Sequence, residues 1–74
     1  MRVTYDPATG AAYLYLVDRI KPGEAKRQEV VLDGRLVLDF DEGGKLLGIE
    51  ILEGDVMLRA ETVEGAKVPG GSDD

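Results

Sequence analysis

The segment Leu36-Val-Leu-Asp-Phe-Asp-Glu-Gly-Gly-Lys-Leu-Leu-Gly-Ile-Glu-Ile-Leu52 constrains the fold most, because two alternating apolar runs flank a Gly-Gly pair. Successive side chains of a strand point to opposite faces, so this pattern buries one face of a hairpin and leaves the other polar. The same segment carries Asp39, Asp41 and Glu50 at spacings that suggest a calcium loop. The two readings lead to different proteins, a structural or interaction module in one case and a metal binder in the other.

Turn chemistry upstream sets a register. Asp33-Gly34 suits a two-residue type I′ turn, which needs positive φ at both central residues. It places Val31 opposite Leu36 and Glu29 opposite Leu38. If Gly43-Gly44 forms the next two-residue loop, Phe40 faces Leu47, Leu38 faces Ile49 and Leu36 faces Ile51. A three-residue loop would instead set Leu36 against Glu50 and Leu38 against Gly48, so the apolar pattern selects the even loop.

The remaining elements follow from the same reasoning. Met1, Val3 and Tyr5 alternate with Arg2, Thr4 and Asp6, the period of a half-buried strand, and Asp6-Pro-Ala-Thr-Gly10 ends it with turn residues. Ala11 to Val17 is apolar or aromatic on both faces and reads as a central strand covered on both sides. Asp18 to Arg27, with Pro22-Gly23 and many charges, is a solvated loop, and Gln28 to Leu32 is a third strand. After Glu53-Gly54 the period changes. Asp55 to Val63 predicts a short helix capped by Asp55, with a fifth strand as the competing assignment because Val56, Leu58, Ala60 and Thr62 also alternate. Residues 1–64 form one domain in this reading, and 65–74 a disordered Gly/Pro-rich tail.

With 74 residues, the chain has a core that rarely supplies more than ~3–5 kcal/mol unless disulfides, a metal or oligomerisation add to it. There is no Cys for a disulfide, and no His either. The usual zinc ligand sets, thiolate nucleophiles and imidazole chemistry are thereby excluded. Ser72 is the sole Ser, so one chain cannot build a hydrolase triad. The expectation is a non-enzymatic protein with no catalytic residues and no cofactor. Fifteen acidic against nine basic side chains give a net charge of −6, which opposes nucleic acid and suits solubility or a basic protein partner. No run spans a bilayer and no signal peptide is read, so the expected location is the cytoplasm.

The calcium reading then meets its test. Asp39, Asp41, Gly44, Leu46 and Glu50 occupy the first, third, sixth, eighth and twelfth positions of a twelve-residue loop. Gly43 at the fifth has no side-chain oxygen, and the flanks have strand period where the motif requires helices. Asp39, Asp41 and Glu50 are therefore expected on the solvent face of the hairpin, as candidate ligands for a divalent cation but without a cage. Tyr5, Tyr13 and Tyr15 form an aromatic set better suited to core or subunit interface than to stacking bases, since no basic cluster lies beside them. With Phe40, Ile49 and Ile51 they are the interface candidates.

On these residues the chain resembles the domain-of-unknown-function 2283 family of small prokaryotic proteins. The resemblance rests on Val3-Thr-Tyr-Asp-Pro7, Ala12-Tyr-Leu-Tyr-Leu16, Val37-Leu-Asp-Phe-Asp41 and Gly48-Ile-Glu-Ile-Leu52, and covers roughly residues 1–53. It implies a small antiparallel sheet and transfers no activity. By association with neighbouring toxin-like genes it also implies an antitoxin-like or accessory role toward a small basic protein. The reading as a whole is an α+β domain: an antiparallel β-meander of four to five strands with a short C-terminal helix. It is expected to form a homodimer or higher homo-oligomer by burying one sheet face.

Overall fold

The alternating segments form five strands in the computed structural model, which describes residues 1–68. They are β1 (Arg2–Tyr5), β2 (Ala12–Tyr15), β3 (Arg27–Val31), β4 (Leu36–Phe40) and β5 (Leu46–Ile51), followed by the helical turns α1 (Gly54–Met57) and α2 (Ala60–Glu64). All neighbouring strands are antiparallel, so the fold class is α+β as expected. The strand order is β1-β2-β5-β4-β3. Only β3, β4 and β5 form a consecutive meander. The β1–β2 hairpin joins it through β2 and β5, because Ala12 and Leu14 fall opposite Ile51 and Ile49 and extend the apolar face. The loop between β2 and β3 must consequently cross the ends of β5 and β4, about 14 Å at ordinary strand spacing. It is tied at both ends, where Leu16 N–H donates to the Leu47 carbonyl at 3.0 Å and Lys26 N–H to that of Phe40 at 2.8 Å.

The first predicted turn keeps its register, with Val31 facing Leu36 and Glu29 facing Leu38, but it is longer than the two-residue loop: Leu32 joins Asp33 and Gly34 at positive φ, with values of 52°, 56° and 87°, and residues 32–35 form the turn. The second turn differs. Asp41 and Lys45 close a three-residue loop, with Asp41 N–H donating to the Lys45 carbonyl at 2.8 Å and Gly44 at φ 83°. Phe40 therefore pairs with Leu46 and not with Leu47. A register shift follows at Asp39/Phe40, beyond which Leu38 faces Ile49 and Leu36 faces Ile51. The odd loop and the bulge at Leu47 cancel, so the apolar pairing survives by a route the even-loop argument did not contain. Leu47, the extra residue, is buried.

Register sorts the side chains. Face A carries Val3, Tyr5, Ala12, Leu14, Leu36, Leu38, Phe40, Ile49 and Ile51. Face B carries Thr4, Tyr13, Tyr15, Gln28, Val37, Asp39, Gly48 and Glu50. The tyrosine set is thereby divided, with Tyr5 on the opposite face from Tyr13 and Tyr15. β2 lies inside the sheet, but it is not covered on both sides: Tyr13, Leu14 and Tyr15 are only half-buried. The molecule is a plate of 33 × 32 × 18 Å. Among the described residues its buried hydrophobic side chains are Ala12, Leu47 and Ile51.

The predicted helix is split in two. Leu58 and Arg59 are extended, with ψ of 152° and 151°, so α1 and α2 are single turns. Asp55 lies in the first turn of α1, while the capping position falls to Glu53, which makes no side-chain cap bond. An amphipathic helix is rewarded by burying its stripe, and this stripe is buried only in part, Val56 being 71% exposed and Val63 half-buried. α1 is held instead by Gly54, whose N–H donates to the Gly10 carbonyl at 2.7 Å while its Cα packs on Ala12. The ordered chain also runs past Glu64, where the tail was expected to begin. Lys67 bridges Thr4 in parallel, donating to the Val3 carbonyl at 3.0 Å and accepting from Tyr5 at 2.7 Å, and so covers the outer edge of β1. Residues 69–74 of the expected tail lie outside the described residues. Among those described, no helix is long and apolar enough to cross a membrane.

Candidate functional site

The polar cluster of face B begins with a missing side chain. Gly48, buried in the middle of β5, leaves a gap over which the Tyr13 ring lies; a Cβ there would stand 2.7 Å from the Tyr13 hydroxyl oxygen. Glycine within a strand often marks such a close approach. Crossing β5 this way, Tyr13 on β2 reaches β4, where its hydroxyl donates to Oδ2 of Asp39. Oδ1 of Asp39 accepts from Nε2 of Gln28 on β3 at 2.7 Å. Asp39 is 7% exposed, so its charge needs both donors. One carboxylate thus fastens β2 and β3 to β4, a clasp spanning four of the five strands.

Tyr15 extends the row. Its ring centroid lies 4.6 Å from that of Tyr13, and the Arg2 guanidinium stacks over it at 3.9 Å while donating to the Asp18 carbonyl. On the other face, the Arg27 guanidinium covers the Phe40 ring at 4.1 Å and pairs with Glu29 at 2.6 Å.

The candidate cation ligands separate in this geometry. Asp39 and Glu50 share face B as diagonal neighbours, as the register predicted. Asp39, however, is buried and not on a solvent surface, and both its oxygens are engaged. Asp41 belongs to the turn, its Oδ1 accepting from Lys45 N–H at 2.8 Å. Among the described residues no three His, Cys, Asp or Glu side chains converge on a metal position. Of the interface candidates, Tyr5, Phe40, Ile49 and Ile51 share face A, with Ile51 already buried within the chain, while Tyr13 and Tyr15 stand on face B. Gln28 and Gly48 were not singled out from sequence. The signals were a polar residue registered opposite Asp39 and a glycine interrupting an apolar strand.

Tyr13 ionises far above the ordinary tyrosine range. Burial is the main cause, followed by its hydrogen bond to Asp39 and the charges of Asp39, Tyr15 and Glu50. A phenol held neutral so firmly is a hydrogen-bond donor and not a base or nucleophile at neutral pH. The raised value also makes stability depend on pH. Unfolded tyrosine ionises near pH ~10, so the contribution of Tyr13 is complete below that and is lost as pH climbs toward the higher folded value. Urea midpoints measured from about pH 9 to 11.5 should fall for the native sequence and fall less steeply for Tyr13→Phe. Identical slopes would remove Tyr13 as the source. At neutral pH the same substitution should cost about 1–3 kcal/mol, since it removes a donor from a buried carboxylate.

Sheet and clasp together define a small α+β domain built on one five-stranded antiparallel sheet, with a polar cluster that joins strands. The chain belongs to the family described as a protein of unknown function (DUF2283), whose model matches residues 2–53, from the first residue of β1 to the residue before α1. No curated protein and no solved structure matches it.

Proposed function

We propose that the chain is a non-enzymatic protein-interaction module that self-associates as a homodimer through face A. The carrying observation is the sheet's single layer: Leu14, Leu36, Leu38, Phe40 and Ile49 form one apolar surface and are only half-buried. Sheets of this kind are stabilised by a second layer about 10 Å away. α1 and α2 are too short to provide it. The broad face of a 33 × 32 Å plate can supply the ~800 Å² per partner of a stable interface. A two-fold arrangement presents the same apolar patch from both copies. The non-enzymatic reading is supported by the composition, without Cys or His, and by a Tyr13 and Asp39 committed to each other. A fold without Cys is also indifferent to redox state, which suits the cytoplasm, where thiols stay reduced.

Sedimentation equilibrium should give twice the chain mass at micromolar concentration, and the unfolding temperature should rise with protein concentration, as linkage requires of a dimer. A folded monomer with a concentration-independent transition would overturn the proposal.

A further inference from the structure

The two outer edges of the sheet are not alike. β1 is bridged by Lys67, whereas among the described residues nothing pairs with the outer edge of β3. We propose that this edge takes up an extended segment of a different protein as a further antiparallel strand, with a Lys or Arg of that segment opposite Glu29. The edge lies at the rim of the plate, with β4 between it and Ile49 on β5, so the proposal goes beyond self-association through face A and does not depend on it.

Register fixes which backbone groups the edge offers. Leu52 N–H donates to the Arg35 carbonyl at 2.9 Å, and in an antiparallel ladder successive residues turn their N–H and C=O toward opposite neighbours. Arg35 and Val37 therefore bond toward β5, and Leu36 and Leu38 toward β3. Their partners Val31 and Glu29 are satisfied within the sheet, while Gln28 and Val30 point N–H and C=O outward. Such a row is a template for another strand, and edges are ordinarily guarded by charge or proline. Here the charges are spent on each other, since Arg27 pairs with Glu29 at 2.6 Å and lies over the Phe40 ring. No proline interrupts β3, and Val30 is 64% exposed beside the open groups.

Charge decides which chain fits. A second copy paired antiparallel about Glu29 bonds Gln28 to Val30 and uses every outward group, but it sets Glu29 against Glu29 of the other copy, and like charges directly opposite are destabilising. Pairing about Gln28 relieves this by setting Arg27 against Glu29, yet Val30 then faces Lys26, whose N–H is already given to the Phe40 carbonyl at 2.8 Å. Pairing about Val30 sets Gln28 against Leu32, which has left the strand with a φ of 52°. The edge thus discriminates against its own copy. A foreign segment with a basic residue opposite Glu29 meets the charge and the backbone together, and aliphatic residues on either side of it cover Val30 on face B. Main-chain bonds then supply affinity and the alternate side chains supply specificity. A chain of net charge −6 steers a basic segment there.

The full chain, isotopically labelled, would be titrated with the acetylated peptide amide Thr-Val-Lys-Val-Thr while backbone resonances are followed. Saturable shifts should centre on Gln28, Glu29 and Val30, and the Gln28 and Val30 amides should exchange more slowly with solvent once the peptide is bound. The same peptide with Glu in place of Lys should bind about 5-fold more weakly, and the peptide N-methylated at both Val residues should not bind, since those N–H groups donate to the Gln28 and Val30 carbonyls. Val30→Pro removes an outward donor and no bond of the sheet, so it should keep a dispersed spectrum and weaken binding about 10-fold. If that variant unfolds, the N-methylated peptide carries the same test on the native chain. Absence of saturable shifts, shifts spread evenly over the acidic surface, or equal binding of the Glu or N-methylated peptide would each overturn the assignment. So would Gln28 and Val30 amides that are protected without peptide, increasingly so at higher protein concentration, because a second copy would then hold the edge.

Discussion

Gly48→Ala is expected to remove most of the domain's stability at room temperature, although alanine is the mildest side chain that can be added. The new Cβ would lie 2.8 Å from the Leu14 carbonyl oxygen as well as 2.7 Å from the Tyr13 hydroxyl oxygen. The tyrosine can swing away, but the carbonyl belongs to the paired strand β2 and moves only with the backbone. Overpacking of this kind costs about 1–3 kcal/mol. Displacing Tyr13 also takes a donor from Asp39, which is 7% exposed, at a further ~1–3 kcal/mol. The sum approaches everything a core of this size supplies, ~3–5 kcal/mol. Urea denaturation followed by circular dichroism, at one protein concentration, should show a midpoint near zero denaturant. Adding Tyr13→Ala to Gly48→Ala should cost less than the separate losses predict, because the ring clash is counted in both. Strict additivity, or a Gly48→Ala protein as stable as the native one, would show that the ring does not need the gap.

That prediction also shows where sequence reasoning stops. Alternation in β4 and β5 predicts Leu36 opposite Ile51 and Leu38 opposite Ile49, since a one-residue slip would expose the apolar set. Turn geometry is less legible. A Gly-Gly pair admits both even and odd loops, and a bulge restores the parity an odd loop upsets, so the end result was predictable while the loop was not. Pairing between β2 and β5 is harder still, because nothing local to either strand says which distant edge it will meet. Asp39 illustrates the same limit: an aspartate on the polar face of a hairpin reads as solvent-exposed until a tyrosine two strands away is known to lie over it. The C-terminal segment failed for a different reason. Its helical propensity is real, but propensity whose apolar stripe is only partly buried, with Val56 left exposed, yields two separate turns. What was readable depended on local patterning, and what was missed depended on contacts between strands distant in sequence.

Ile49→Glu should dissociate the proposed dimer. Ile49 sits near the centre of face A, between Leu38 on β4 and Leu14 on β2, and it is half-buried within one copy. Removing a large aliphatic side chain from an apolar contact costs about 1.5–3 kcal/mol. A two-fold interface meets each substitution twice, giving ~3–6 kcal/mol, or roughly a 100-fold to 10,000-fold weaker dimer. Ile49→Thr keeps the β-branched shape that strands favour and should weaken the dimer less, which guards against a variant that fails simply because the strand is lost. Val30→Glu is the matching control, being 64% exposed on face B, and should leave association unchanged. Sedimentation of all three at micromolar concentration separates the outcomes: dissociation by Ile49→Glu alone, with a graded effect for Ile49→Thr, assigns the interface to face A. If Val30→Glu dissociates the dimer and Ile49→Glu does not, the contact lies on face B. Within one copy the apolar face is covered only in part, by Gly54 against Ala12 and by Arg27 over Phe40, and the remainder around Ile49 is what the proposed second copy would bury.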